Sequence, residues 1–151
     1  MENLMMVNNY HPTFAMSNPV LSQEILKGKS ILFVDDEYVN YLYFAELLSE
    51  TGATIIRAFS YEQIKARIVS EQQICLMMIA ATAIQGMSEQ IITQIRQIAP
   101  DLPIIGILEH DFNEALDPFL TSGCDLYLNR YVDTLHLIEI IDELLAGSFG
   151  R

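Results

Sequence analysis

The chain has 151 residues, 51% of them hydrophobic, and 20 acidic side chains against 8 basic ones give it a net charge of −12. That length suits one domain with a sizeable core, and the apolar content argues against disorder. So acidic a chain is a poor match for wrapping nucleic acid or lying on an anionic membrane, because both need positive charge.

Residues 1–28 read as an N-terminal extension or arm. They hold Pro12, Pro19 and scattered apolar residues such as Met5, Met6, Val7, Tyr10, Phe14 and Met16, without a clean period. Ser22 is a natural N-cap for a short turn to Lys27. Glu2 stands where a secretory signal would be basic, and Asn8 and Asn9 interrupt the apolar residues, so no signal peptide is expected. No apolar run approaches the ~18 residues of a membrane span.

From Lys29 strand and helix patterns alternate. Ile31–Val34 is a strand that runs straight into Asp35, Asp36 and Glu37. A helix follows from Glu37 to Thr51, with Val39, Tyr43 and Leu47 in one stripe, Phe44 and Leu48 beside them, and Gly52 closing it. Ala53–Ala58 is the second strand, and Ser60 caps a helix to Val69 with Ile64 and Ile68 on one face. Ile74–Ile79 is wholly apolar and of strand length, so it is read as the central strand. After a loop holding Gly86, Ser88 caps a helix to Ala99, with Ile91, Ile92, Ile95 and Ile98 as its stripe. Ile104–Leu108 is the fourth strand, a helix spans 113–121, and Asp125–Leu128 is the fifth strand. The last helix runs from Asp133 to Leu145, with Leu137, Ile141, Leu144 and Leu145 inward.

Five strands, each followed by a helix, with right-handed crossovers, predict an α/β fold. The length per unit favours a flavodoxin-like (βα)5 three-layer sandwich, whose five-stranded parallel sheet has the order 2-1-3-4-5. The domain is placed over 29–147, with a tail at 148–151. Cys75 and Cys124 lie in or beside strand-like runs, which fits buried small hydrophobes and a reducing cytoplasm better than a disulfide framework. The expected location is cytoplasmic.

Glycine-rich phosphate loops are absent, as are a nucleophile elbow and Cys/His pairs at zinc spacing, so no nucleotide cofactor is expected. His11, His110 and His136 are far apart, and His136 is expected at the surface. The triplet Glu109-His110-Asp111 follows strand four, on the rim of Asp35 and Asp36. A solvated loop with Asp111 or Asn113 capping the next helix explains it better than a metal or base cluster, because consecutive residues do not all point inward.

The run Ile31-Leu32-Phe33-Val34-Asp35-Asp36-Glu37, followed by Asn40, Leu47-Leu48 and Gly52, resembles the start of a response-regulator (CheY-like) receiver domain. Leu102-Pro103-Ile104-Ile105-Gly106-Ile107 is similar to that family's fourth strand. Ser122-Gly123-Cys124-Asp125-Leu126-Tyr127-Leu128-Asn129-Arg130 is similar to its Ala-Gly-Ala-x-Asp-Tyr-Leu-x-Lys segment. The resemblance covers 29–145. It implies a carboxylate pair for a divalent cation, an aspartate acceptor after strand three, a Thr or Ser after strand four and a Lys after strand five. The metal neutralises phosphoryl charge, the aspartate attacks, and the cation and hydroxyl stabilise the product.

Asp35 and Asp36 match the metal pair. The acceptor position falls on Ile79 or Ala80, and no Asp or Glu occurs from Gln72 to Ser88. Thr82 is the nearest hydroxyl and cannot form an acyl phosphate. Leu108 stands at the Thr/Ser position, Arg130 at the Lys position and Tyr131 where a Pro usually follows. Tyr127 matches the switch aromatic, without its hydroxyl partner. The resemblance therefore implies a degenerate pseudo-receiver of the two-component phosphorelay type, with no catalysis. Arg130 is expected to pair directly with Asp35 or Asp36 in place of the metal, so no cofactor is expected and Mg²⁺ binding is weak at most.

Such a module would act through a protein partner: a histidine kinase, an output protein or a second copy of itself. Dimerisation could use the N-terminal arm or the face made by the fourth predicted helix, the fifth strand and the last helix, where Phe112, Phe119 and Tyr127 lie near the surface or in the core beneath it. Two alternatives remain: a working phosphoreceiver with an unrecognised acceptor, and a small α/β enzyme using the Asp35/Asp36 rim. The enzyme ranks last, because the sequence offers no nucleophile–base pair.

Overall fold

A computed structural model describes residues 24–84, 90–108 and 123–147, apart from the side chains of Thr82 and Ile84. Its strands are β1 (Ser30–Val34), β2 (Thr54–Ala58), β3 (Ile74–Ala80), β4 (Ile104–Leu108) and β5 (Leu126–Asn129). They form one parallel sheet in the order β2-β1-β3-β4-β5. This is the flavodoxin-like order expected from the pattern. β1 and β4 are buried at every residue, and β3 from Leu76 on. Strands covered on both faces have no polar side to display, which is why they read as unbroken apolar runs.

The helices are α1 (Tyr38–Leu47), α2 (Tyr61–Ser70), α3 (Ile91–Ile98) and α4 (Thr134–Leu145), with a 3-10 turn at Ser49–Thr51 and a helical turn at Ala81–Ile84. Alternate strand residues feed two cores. Leu32, Val34, Met77 and Ile79 pack with Ile64 of α2 and with Ile91, Ile92 and Ile95 of α3. Ile31, Phe33, Met78 and Ile107 pack with Phe44 of α1 and with Leu137, Ile141 and Leu144 of α4. The result is three layers. Outside the described residues lie the helix expected over 113–121, the Gly86 and Ser88 loop, the Ser22 cap, most of the arm and the tail.

Ser60 caps α2 as expected, accepting from the Gln63 backbone N at 3.2 Å, and Asp133 caps α4 by accepting from His136 N at 3.1 Å. α3 differs: Gln90 rather than Ser88 stands at its N-cap. The face of α1 differs in part. Phe44 and Leu48 are buried together with Asn40, whereas Val39 and Tyr43, expected beside them, are 72% and 38% exposed. Nearly every position of this helix is apolar, so its period could not choose a face. Two contacts choose it: Phe44 packs on Phe33 with ring centroids 5.1 Å apart, and Asn40 reaches Asp35. The helix stops at Leu47 instead of Thr51 and tightens into the 3-10 turn, where the Thr51 hydroxyl donates to the Leu48 carbonyl at 2.7 Å.

Gly52 follows with a φ of +83°. A side chain there is excluded twice, by the left-handed backbone and by Lys27 Cα, which would lie 3.0 Å from a Cβ. That close approach lets residues 24–28 lie along the end of the turn. Glu24 N donates to Glu50 O at 2.7 Å, Leu26 N donates to Thr51 O at 2.8 Å, and Leu26 is buried in the second core. His136, expected at the surface, is buried because α4 turns most of its circumference inward. Its imidazole pKa is lowered by burial, with Asp133 partly opposing. Cys75 and Cys124 are half-buried against opposite cores, and neither is in a disulfide. No helix among the described residues is long and apolar enough to cross a membrane.

Candidate functional site

The carboxy-terminal rim of the sheet gathers the residues singled out above. β1 delivers Asp35, which is 1% exposed, and its backbone N donates to Ala58 O at 3.1 Å. Its Oδ1 accepts from Glu37 N at 3.0 Å and its Oδ2 accepts from Asn40 Nδ2 at 2.8 Å. On the other side of the amide, Asn40 Oδ1 accepts from the Arg130 guanidinium. A guanidinium only donates and an ionised carboxylate only accepts, so the orientation of the Asn40 amide is determined by its two neighbours. Arg130 itself is fixed just past β5, where its backbone N donates to Leu108 O at 2.8 Å.

The expected direct pairing of Arg130 with Asp35 or Asp36 is therefore replaced by a relay. Ion pairs among the described residues join Arg96 to Asp125 and Lys27 to Glu24, and neither rim aspartate takes part in one. Distance is the reason. The ends of β5 and β1 are three strand spacings apart, about 14 Å, and Asn40 from α1 covers what one arginine cannot. Asn40 entered the sequence reading only as part of a family motif. The signal that could have assigned it is its helical phase with Phe44 and Leu48.

Burial raises the Asp35 carboxyl above its ordinary range. The donors Glu37 and Asn40 oppose that shift, and Asp36 adds to it. Asp36 is exposed, and its backbone carbonyl accepts from the Arg57 guanidinium at 3.0 Å.

Between Asp35 and Arg130 the rim is apolar. Val34 pairs with Ile79, which puts Ala80, the last residue of β3, level with Asp35. Ala80 is 4% exposed and Leu108, at the end of β4, is 1% exposed. Of the three aromatics assigned to the possible docking face, Tyr127 belongs to the core: it is buried in the first cluster, over Gly106. A Cβ at Gly106 would stand 3.0 Å from its ring. Burial pushes the Tyr127 phenol far above its usual value. Phe112, Phe119 and the Glu109-His110-Asp111 triplet lie outside the described residues, as does the Thr82 side chain.

No protein-family model and no curated protein matches the chain. Solved structures do. A two-component response regulator from Clostridium difficile aligns with a TM-score of 0.65 and 20% identity, over 82% of this chain and 99% of that one. A CheY-like receiver domain protein from Methanospirillum hungatei JF-1 aligns with a TM-score of 0.66 and 22% identity, over 78% and 94%. A response regulator from Thermotoga maritima aligns with a TM-score of 0.67 and 17% identity, over 78% and 98%. The fold is that of a receiver domain. At these identities the likeness concerns architecture, and the rim must be judged on its own chemistry.

Proposed function

We propose that the chain is a signalling interaction module of receiver fold that takes no phosphoryl group and works by binding a protein partner. The observation that carries this reading is Ala80. It stands where an acceptor carboxylate would have to be, level with Asp35, and a buried methyl is not a nucleophile. Two further features support it. Leu108 supplies no hydroxyl, and Arg130 is engaged through Asn40.

The rim is also a poor cation site. Mg²⁺ asks for several hard oxygen ligands in near-octahedral order. Both Asp35 oxygens already accept hydrogen bonds, and Ala80 adds no donor. Asp36 remains as the one exposed carboxylate of the pair, so the residues present do not fit the metal. The test is an NMR titration of the full chain with Mg²⁺, then with beryllofluoride. The reading expects no saturable shifts at Asp35, Asp36 and Arg130 in the millimolar range. Saturable rim shifts with beryllofluoride would overturn it.

A further inference from the structure

Four of the seven exposed large apolar side chains among the described residues stand on α1: Tyr38, Val39, Leu42 and Tyr43, at 55, 72, 48 and 38% exposure. Phe59 extends the patch, because the Arg57 guanidinium lies over both rings, 5.3 Å from the Tyr38 centroid and 4.9 Å from that of Phe59. α1 has no charged residue before Glu46. A helix apolar on all sides is normally covered, and an apolar patch of this kind marks a docking surface.

The chain itself brings a cover to that spot. Glu24 is hydrogen-bonded to Glu50, just past the last residue of α1, so residues 1–23 are tethered at the end of this helix. That segment has one charged side chain, Glu2, and supplies Met5, Met6, Val7, Tyr10, Phe14 and Met16. α1 is about 15 Å long at ~1.5 Å per residue, a span that about five extended residues cross. Thioether side chains adapt to irregular apolar surfaces and pack well on aromatic rings. A tether this short holds the segment at an effective concentration in the millimolar range, well above that of a second copy at ordinary protein concentrations.

We propose that residues 1–23 dock on the exposed face of α1, so that a partner reaches this face only by displacing them. The inference does not depend on whether the rim accepts a phosphoryl group. It is tested in the full chain by placing p-benzoylphenylalanine at Leu42 and irradiating an equal mixture of ordinary and heavy-nitrogen protein. Digestion and mass spectrometry then identify the cross-linked peptides. The expected products are isotopically unmixed and join α1 to a peptide from residues 1–23. Mixed-isotope products would assign the face to a second copy, and cross-links elsewhere, or none, would equally overturn the proposal. A second full-chain variant, with Met5, Met6, Phe14 and Met16 replaced by Ser, should raise the fluorescence of added anilinonaphthalene sulfonate several-fold. Unchanged fluorescence would contradict the docking.

Discussion

The two edges of the sheet each hold an arginine near a buried acid, and they use it differently. At the amino-terminal edge the Arg96 guanidinium meets Asp125 directly at 2.8 Å and also donates to the carbonyls of Leu102 and Gly123. Asp125 in turn accepts from Ile104 N at 2.8 Å, so this clasp fixes the start of β4 against the approach to β5. At the carboxy-terminal edge Arg130 reaches its acid only through the neutral amide of Asn40. A direct pair compensates the buried Asp125 carboxylate and the half-buried Arg96 cation at once. A relay leaves Asp35 buried with a raised pKa, an arrangement that folding alone does not require. The first edge is a direct charge clasp, and the second leaves its acid with neutral donors alone.

Removing one side of the clasp should have the largest effect. Arg96→Met leaves Asp125 buried without its cation and two carbonyls without a donor, and should cost about 3 kcal/mol in urea unfolding with the slope unchanged. Asn40→Leu at the rim should cost about 2 kcal/mol, because Asp35 loses one of its two donors and Arg130 loses an acceptor. If Asn40→Leu matched or exceeded Arg96→Met, the distinction between the edges would fail. Gly106→Ala comes next, at about 1–2 kcal/mol, since the new methyl meets the Tyr127 ring. Combining it with Tyr127→Leu should be less costly than the sum of the two single changes, a non-additivity that places the ring inside the core.

The smallest effects are in pH dependence, and they have opposite signs. The folded chain holds the Asp35 proton more tightly than the unfolded one. Its contribution is therefore complete below the ordinary 3.8 and is lost as pH rises through the raised value. Wild type should gain on Asp35→Asn as the pH falls. His136 is the reverse: its folded pKa lies below 6.5, so wild type should lose stability relative to His136→Leu as the pH drops below that value. Unfolding free energies of the three proteins from neutral to acid pH would show both slopes.

Much of this architecture is written in local pattern. Ile31–Val34, Ile74–Ile79 and Ile104–Leu108 announce buried parallel strands because nothing polar interrupts them. Asp35, Ala80 and Leu108 could be placed on one rim because each ends, or directly follows, such a run, and Arg130 because its segment resembles the end of a receiver's fifth strand. What stayed hidden depends on tertiary choice. α1 offers apolar residues on every side, so only the packing of Phe44 on Phe33 shows which side turns inward. Arg96 and Asp125 lie 29 positions apart, and no periodicity links them. Asn40 is one polar residue in an apolar run, with no local sign of a partner, until the turn of the helix carries it to Asp35 and, 90 positions away, to Arg130. A buried Tyr127 follows from the space that Gly106 leaves, which is a cross-strand fact.

The central claim concerns chemistry at Ala80, and intact-mass spectrometry of the full chain after incubation with acetyl phosphate and Mg²⁺ tests it most directly. The account predicts one species at the unmodified mass. A gain of one phosphoryl group, located by fragmentation to any residue of the rim, would contradict it.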